Sequence, residues 1–180
     1  HEGVKFHNGR ELVADDVKKS IERVQNPDTA SPLRSDFAVV KTINLIDDYT
    51  VELVLEKPFA PLFTQLARLA IVPMEEVEAK GSLRTEPVGA GPYRFVEWKQ
   101  DQEIILEKFE DFTLGEVKNE GLIFKFYPEY AAGLAALTSG DADLHLWVKP
   151  TDLPRLEADS SVTLIPNALN GSYYIAFNME

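Results

Sequence analysis

The segment Pro87-Val88-Gly89-Ala90-Gly91-Pro92 puts two prolines and two glycines within six positions. Proline fixes φ and lacks an N–H, and glycine has no side chain to bias its backbone, so no regular element can run through it. It falls near the middle of the 180 residues. It is the clearest break in the chain, with one part before it and one after.

In the first part, Val4-Lys5-Phe6-His7 alternates with the period of a half-buried strand, and Asn8-Gly9 signals a turn. Val17, Ile21 and Val24 stand at i, i+4 and i+7, one face of a helix. Asp15 and Asp16 lie in or just before its first turn, where negative charge suits the helix dipole, and Asn26-Pro27 should stop it. Two strands follow, Ala38 to Ile46 and Thr50 to Glu56, turning at Asp47-Asp48. Helical spacing returns from Pro61 to Leu69 and, between Pro73 and Gly81, from Glu75 to Lys80.

After the junction the pattern predicts strands at Tyr93–Trp98, Glu103–Lys108 and Leu122–Tyr127, then a helix from Glu129 to Ser139 closed by Gly140. A strand from Asp143 to Trp147 follows, and a short helix from Thr151 to Leu156 with Thr151 as N-cap and Pro154 in its first turn. Val162–Ile165 and Ser172–Phe177 complete the strands. Strand alternating with helix marks an α/β sheet, so the second half is expected to form one and the whole chain to be α/β (α+β). The abrupt start and the stop at Asn178-Met179-Glu180 read as cuts through a larger protein. The first residues lack a signal peptide's apolar run, which leaves a cytosolic protein or a removed N-terminus.

Eighteen basic against thirty acidic residues give a net charge of -12. Nucleic acid and anionic lipid both require concentrated Lys and Arg, so neither is an expected partner. No cysteine is present, which removes disulfides, thiolate metal sites and cysteine nucleophiles. No apolar run approaches the ~20 residues that span a bilayer. Gly89-Ala90-Gly91 is followed by Pro92-Tyr93 and a strand, not by the helix a dinucleotide fingerprint needs. Phosphate-loop, HExxH and GxSxG patterns are absent. His1, His7 and His145 are too dispersed for a local metal motif and read as structural or exposed. Asp141 and Asp143 share a strand face by default and have no second titratable partner to make them an acid–base pair. No catalytic residue, metal ligand or cofactor site is expected.

Five motifs in order resemble the peptide/nickel/oligopeptide family of extracellular solute-binding proteins, family 5. They are Gly3 to Gly9 running through Ala14-Asp15-Asp16-Val17 to Arg23; Pro87 to Trp98; Ile105 to Phe112; Ala135-Ala136-Leu137-Thr138-Ser139-Gly140-Asp141-Ala142-Asp143; and Tyr173 to Asn178. Val13 stands where the family often has Thr, so the usual helix cap is lost and Asp15 is expected to substitute. Phe112-Thr113-Leu114-Gly115 replaces a frequent Tyr-Trp-Gly-Gly stretch.

The resemblance implies a portion, roughly the N-terminal half, of a two-lobed type II periplasmic binding protein, with the export signal upstream and the opposite lobe outside this chain. That portion would hold most of a small β-rich subdomain with peripheral helices (residues 1–90) and part of the α/β lobe (residues 91–180), with Gly89, Gly91 and Pro92 as junction backbone. It implies capture of a small solute, most often a peptide, for an ABC importer, with membrane permease subunits as partners and no chemistry. The protein would be periplasmic, or extracellular as a membrane-anchored lipoprotein. Nickel complexes, opines, haem or oligosaccharides are the other ligands the resemblance allows, and an enzyme of unknown type is the rival reading. The ligand contacts implied are Asn178, Tyr174, Tyr173 and Trp147, at the carboxyl ends of strands of an open sheet. Apolar surface meant for the other lobe should drive the isolated chain to dimerise.

Overall fold

The apolar stripe of Val17, Ile21 and Val24 sets the first helix and the core it closes. A computed structural model of the chain describes residues 1–166, which form two units, His1–Lys125 and a second beginning at Phe126. Helix α1 spans Ala14–Gln25, with Ile21 fully buried and Val24 nearly so. Its N-cap, Val13, has no acceptor side chain, so the orphan N–H must be met otherwise. Asp16 meets it: its Oδ2 accepts the Val13 N–H at 2.9 Å. The substitute cap is therefore Asp16, not Asp15. A side chain at the third helical position reaches back to the cap, as in a capping box, while Asp15 pairs forward with Lys19 at 2.7 Å. The helix ends at Asn26, as expected, and a 3-10 turn, Pro27–Thr29, leads on.

Helix α2 (Arg34–Phe37) precedes strands β1 (Val40–Asp47) and β2 (Thr50–Leu55), an antiparallel hairpin in which Ile43 faces Leu53. The Asp47 carboxylate accepts the Tyr49 N–H at 2.9 Å and forms the turn. Ile21, Val24, Phe37, Val40 and Ile43 make a buried core, flanked by Val17, Leu53, Leu55 and two residues of helix α3 (Leu62–Leu66), Leu62 and Leu66. Helix α4 (Met74–Lys80) ends at Gly81 in the left-handed region. The expected strand at Val4–His7 reduces to one bridge, Lys5 to Glu11, because the chain folds back within a few residues around Gly9.

Strands β3 (Tyr93–Lys99), β4 (Glu103–Lys108) and β5 (Gly121–Lys125) form an antiparallel sheet in that order. Cross-strand partners share a face. Phe95, Trp98, Ile104, Leu106, Leu122 and Phe124 therefore lie on one side. Arg94 with Glu107, and Lys99 with Glu103, lie on the other as ion pairs at 2.6 Å. A Cβ at Gly121 would stand 2.7 Å from the Leu106 carbonyl oxygen, so only glycine lets β5 close on β4 here.

In the second unit, helix α5 (Tyr130–Ser139) is closed by Gly140 at φ 82, as expected. A 3-10 turn, Pro150–Asp152, and helix α6 (Leu153–Glu157) replace the single helix expected from Thr151. Pro150 and Pro154 each start a separate short turn, so Thr151 sits inside the first instead of capping the second. Asp143–Trp147 forms no strand. The Trp147 N–H is taken by the His145 ring and the Lys149 N–H by the Tyr130 hydroxyl, and these local acceptors stand where a ladder would. Val162–Ile165 is not a strand either; the Val162 N–H turns back to the Asp159 carbonyl at 3.2 Å. Helix and strand mix as expected, but both sheets are antiparallel and no parallel pair occurs among the described residues.

Candidate functional site

In the first unit the two most distinctive motifs meet through His7. Its N–H donates to the Gly89 carbonyl at 2.8 Å, and the Gly89 N–H donates to His7 Nδ1 at 3.3 Å. With Nδ1 accepting, the neutral ring carries its proton on Nε2, which donates to the Gly91 carbonyl at 3.0 Å. Phe109 supports the ring in an edge contact at 5.0 Å. The proline- and glycine-rich segment is thus backbone that a single histidine clips from more than eighty positions away.

A cleft of about 600 Å³ opens beside this clip, bordered by Glu76, Lys80, Glu86, Arg94 and Glu107. Those charges satisfy one another: Lys80 lies 3.3 Å from Glu76 and 3.4 Å from Glu86, and Arg94 pairs with Glu107. Recognition needs convergent groups that a ligand can complete, and both cations of this lining already have carboxylate partners. Nearby, Arg10 donates to buried Asp16 at 2.6 and 3.0 Å, to Glu75, and to the Glu11 carbonyl, with its guanidinium over the Phe6 ring. The hydrogen bonds to Asp16, then Glu75, push the guanidinium above its ordinary range. Arg10 in turn holds the Glu75 carboxyl below the usual carboxylate range. The cluster fastens α1 and α4 to the N-terminal turn.

In the second unit Trp147 presents its indole outward, 64% exposed, beside Leu144 and Leu146. It does not end a strand, so the strand-end argument for its place in a cleft fails. What positions it instead is α5: Tyr130, one turn before Gly133, receives the Lys149 N–H at 3.0 Å and donates to Asp152 at 2.9 Å. His145 stands edge-on to Tyr130 at 5.6 Å. The sequence reads His145 only as structural or exposed and singles out neither Tyr130 nor Gly133. Tyr173, Tyr174 and Asn178 lie outside the described residues. Asp141 follows the Gly140 cap and accepts the Ser139 hydroxyl at 2.7 Å. Among the described residues no group of three or more His, Cys, Asp or Glu side chains is placed to hold a metal ion.

The family described as bacterial extracellular solute-binding proteins, family 5 Middle, matches residues 1–180. The glutathione-binding protein GsiB of Pectobacterium atrosepticum is 29% identical over 183 residues, which cover 99% of this chain and 36% of that protein. The oligopeptide-binding protein AppA of Bacillus subtilis is 30% identical over 185 residues, 98% of this chain and 34% of that protein. Among solved structures, NikZ of Campylobacter jejuni, in complex with Ni(L-His), superposes with a TM-score of 0.82 at 29% identity. That likeness covers 89% of this chain and 33% of NikZ. The chain spans about a third of the length of the curated relatives it matches.

Proposed function

Since the chain belongs to the bacterial extracellular solute-binding proteins of family 5, we propose that it is part of the substrate-binding component of an ABC importer, which captures a peptide and delivers it to membrane permease subunits. The observation that carries this reading is the family match across the entire chain, joined by relatives that bind glutathione and oligopeptides. Family membership places the working protein outside the cytoplasm, and a lipid anchor on the full-length protein belongs to the proposal.

In this reading the chain binds and performs no chemistry. Ligand capture shifts two lobes toward a closed form that the permease recognises. Trp147, with Tyr173, Tyr174 and Asn178, supplies ligand contacts from this chain. The support for Trp147 is a large aromatic surface held outward by an ordered loop. Aromatic walls with a few polar groups are what a small-molecule site uses.

The test is a thermal-shift screen of the full-length protein against di-, tri- and oligopeptides, glutathione, nickel–histidine, opines and oligosaccharides. A ligand at ~100 times its dissociation constant stabilises a fold by roughly 2.7 kcal/mol. Stabilisation by peptides is the expected result. Stabilisation by nickel–histidine alone would keep the transport role and replace the ligand, a reading favoured by the likeness to NikZ. Turnover of a test substrate without any shift would refute the transport reading.

A further inference from the structure

Helix α5 carries a glycine in its interior, where glycine is less favourable than alanine. Gly133 is not in the left-handed region, so conformational freedom does not explain it. Close approach does. A Cβ at Gly133 would lie 2.9 Å from His145 Nε2 and 3.2 Å from its Cδ2, so the imidazole occupies the space a side chain would need. Tyr127 Cδ2 lies 3.5 Å from the same Cβ position, and Tyr130, three residues before Gly133 on the helix, stands edge-on to the seated ring at 5.6 Å.

The ring seated there is tied to the segment it introduces. Through Nδ1, His145 accepts the N–H of Trp147 at 3.3 Å. Two residues further on, the Lys149 N–H donates to the Tyr130 hydroxyl and the Lys149 ammonium sits 4.4 Å over the Tyr130 ring. The backbone on both sides of Trp147 is thus pinned to one face of α5, while the indole stays exposed. An exposed tryptophan on a free loop would spend much of its contact energy on being ordered; a pinned one is ordered before contact is made.

We propose that His145, seated in the notch left by Gly133, is a positioning residue that fixes the direction in which Trp147 is presented to the ligand, an aromatic or flat apolar side chain of a bound peptide. This rests on the reading of Trp147 as a ligand contact. Offset or edge-on stacking on an indole depends on its direction, and the seat fixes the backbone from which that direction is set.

Trp98→Phe in the full-length protein removes the other tryptophan of this chain. Any tryptophans elsewhere in the polypeptide are likewise replaced by Phe, so that Trp147 is the reporter. Its fluorescence anisotropy and acrylamide quenching are measured without ligand, and the affinities for Ala-Phe-Ala and Ala-Ala-Ala by calorimetry. His145→Ala and Gly133→Ala should lower the anisotropy and raise quenching. His145→Asn, whose Oδ1 can take over from Nδ1, should stay close to the parent. Affinity for Ala-Phe-Ala should fall roughly three- to tenfold in His145→Ala, and that loss should vanish when Trp147 is already alanine.

Unchanged anisotropy in His145→Ala overturns the seat. Lowered anisotropy with Ala-Phe-Ala bound equally by the parent and by Trp147→Ala keeps the seat and overturns the assignment of Trp147 to the ligand. If Gly133→Ala loses its helical circular dichroism, the alanine and asparagine pair at 145 decides alone. Binding of neither peptide by the parent refutes the peptide reading, while the ligand-free anisotropy still decides whether His145 positions Trp147.

Discussion

Asp16→Ala is the substitution whose cost the structure specifies most fully. The carboxylate is almost entirely buried, accepts the Val13 N–H at 2.9 Å and receives two hydrogen bonds from Arg10. Removing it deletes the cap of α1, about 1 kcal/mol. It also breaks charge-assisted bonds worth about 1.5–3 kcal/mol. Arg10 is partly exposed and keeps Glu75, so the full penalty of an abandoned buried cation does not arise. The expected loss is therefore about 2–4 kcal/mol, or roughly 5–12 °C in Tm for a domain of this size. Asp16→Asn keeps one acceptor and should lose about half as much. The assay is urea denaturation followed by circular dichroism, with Glu75→Gln as a second perturbation to test coupling. A loss under about 0.5 kcal/mol for Asp16→Ala, the level of an ordinary surface change, would refute the account of this cluster as a fastening.

Glu75 is held below the ordinary carboxylate range by Arg10, so its contribution is present above the unfolded-state range and lost as pH falls through the folded one. Acid unfolding of Glu75→Gln should accordingly show a shallower fall in stability over that window than the parent, and parallel curves would contradict this. Gly121→Ala places a Cβ against a backbone carbonyl that cannot swing aside, and about 1–3 kcal/mol of lost stability is expected in thermal melts; an unchanged Tm would show that β5 can shift. His7→Ala leaves the Gly89 N–H and the Gly91 carbonyl without their partner. Hydrogen exchange at the Gly89 amide should accelerate by more than tenfold, the factor that about 1.4 kcal/mol represents. Exchange at the parent rate would dismiss the clip.

Local patterns read well where one physical cause dominates. The stripe Val17, Ile21, Val24 gave α1 because an amphipathic helix on a core obeys one period, and the hairpin β1–β2 followed from alternation around Asp47-Asp48. The cap of α1 falls on Asp16 and not on Asp15, because the two are equivalent in composition and differ only in which can reach back to Val13. Asp143–Trp147 has strand composition, yet a strand exists only with a ladder partner, and here side chains of His145 and Tyr130 take N–H groups that a ladder would use. The same strand expectation put Trp147 at a strand end, where the structure has irregular backbone instead.

The seat of His145 is not legible in the helix sequence. Tyr130-Ala131-Ala132-Gly133-Leu134-Ala135-Ala136 is rich in small residues on every side, so periodicity alone does not say which face another segment touches. One signal was available. A glycine amid alanines in a helix interior carries a cost that nothing local repays, which implies that something approaches where its side chain would be. What approaches cannot be named from the helix; only the fold shows that a ring twelve residues later fills the gap. A glycine without a turn, followed within a short loop by a histidine and an exposed tryptophan, is therefore the pattern that links an anomaly in the helix to the presentation of the aromatic beyond it.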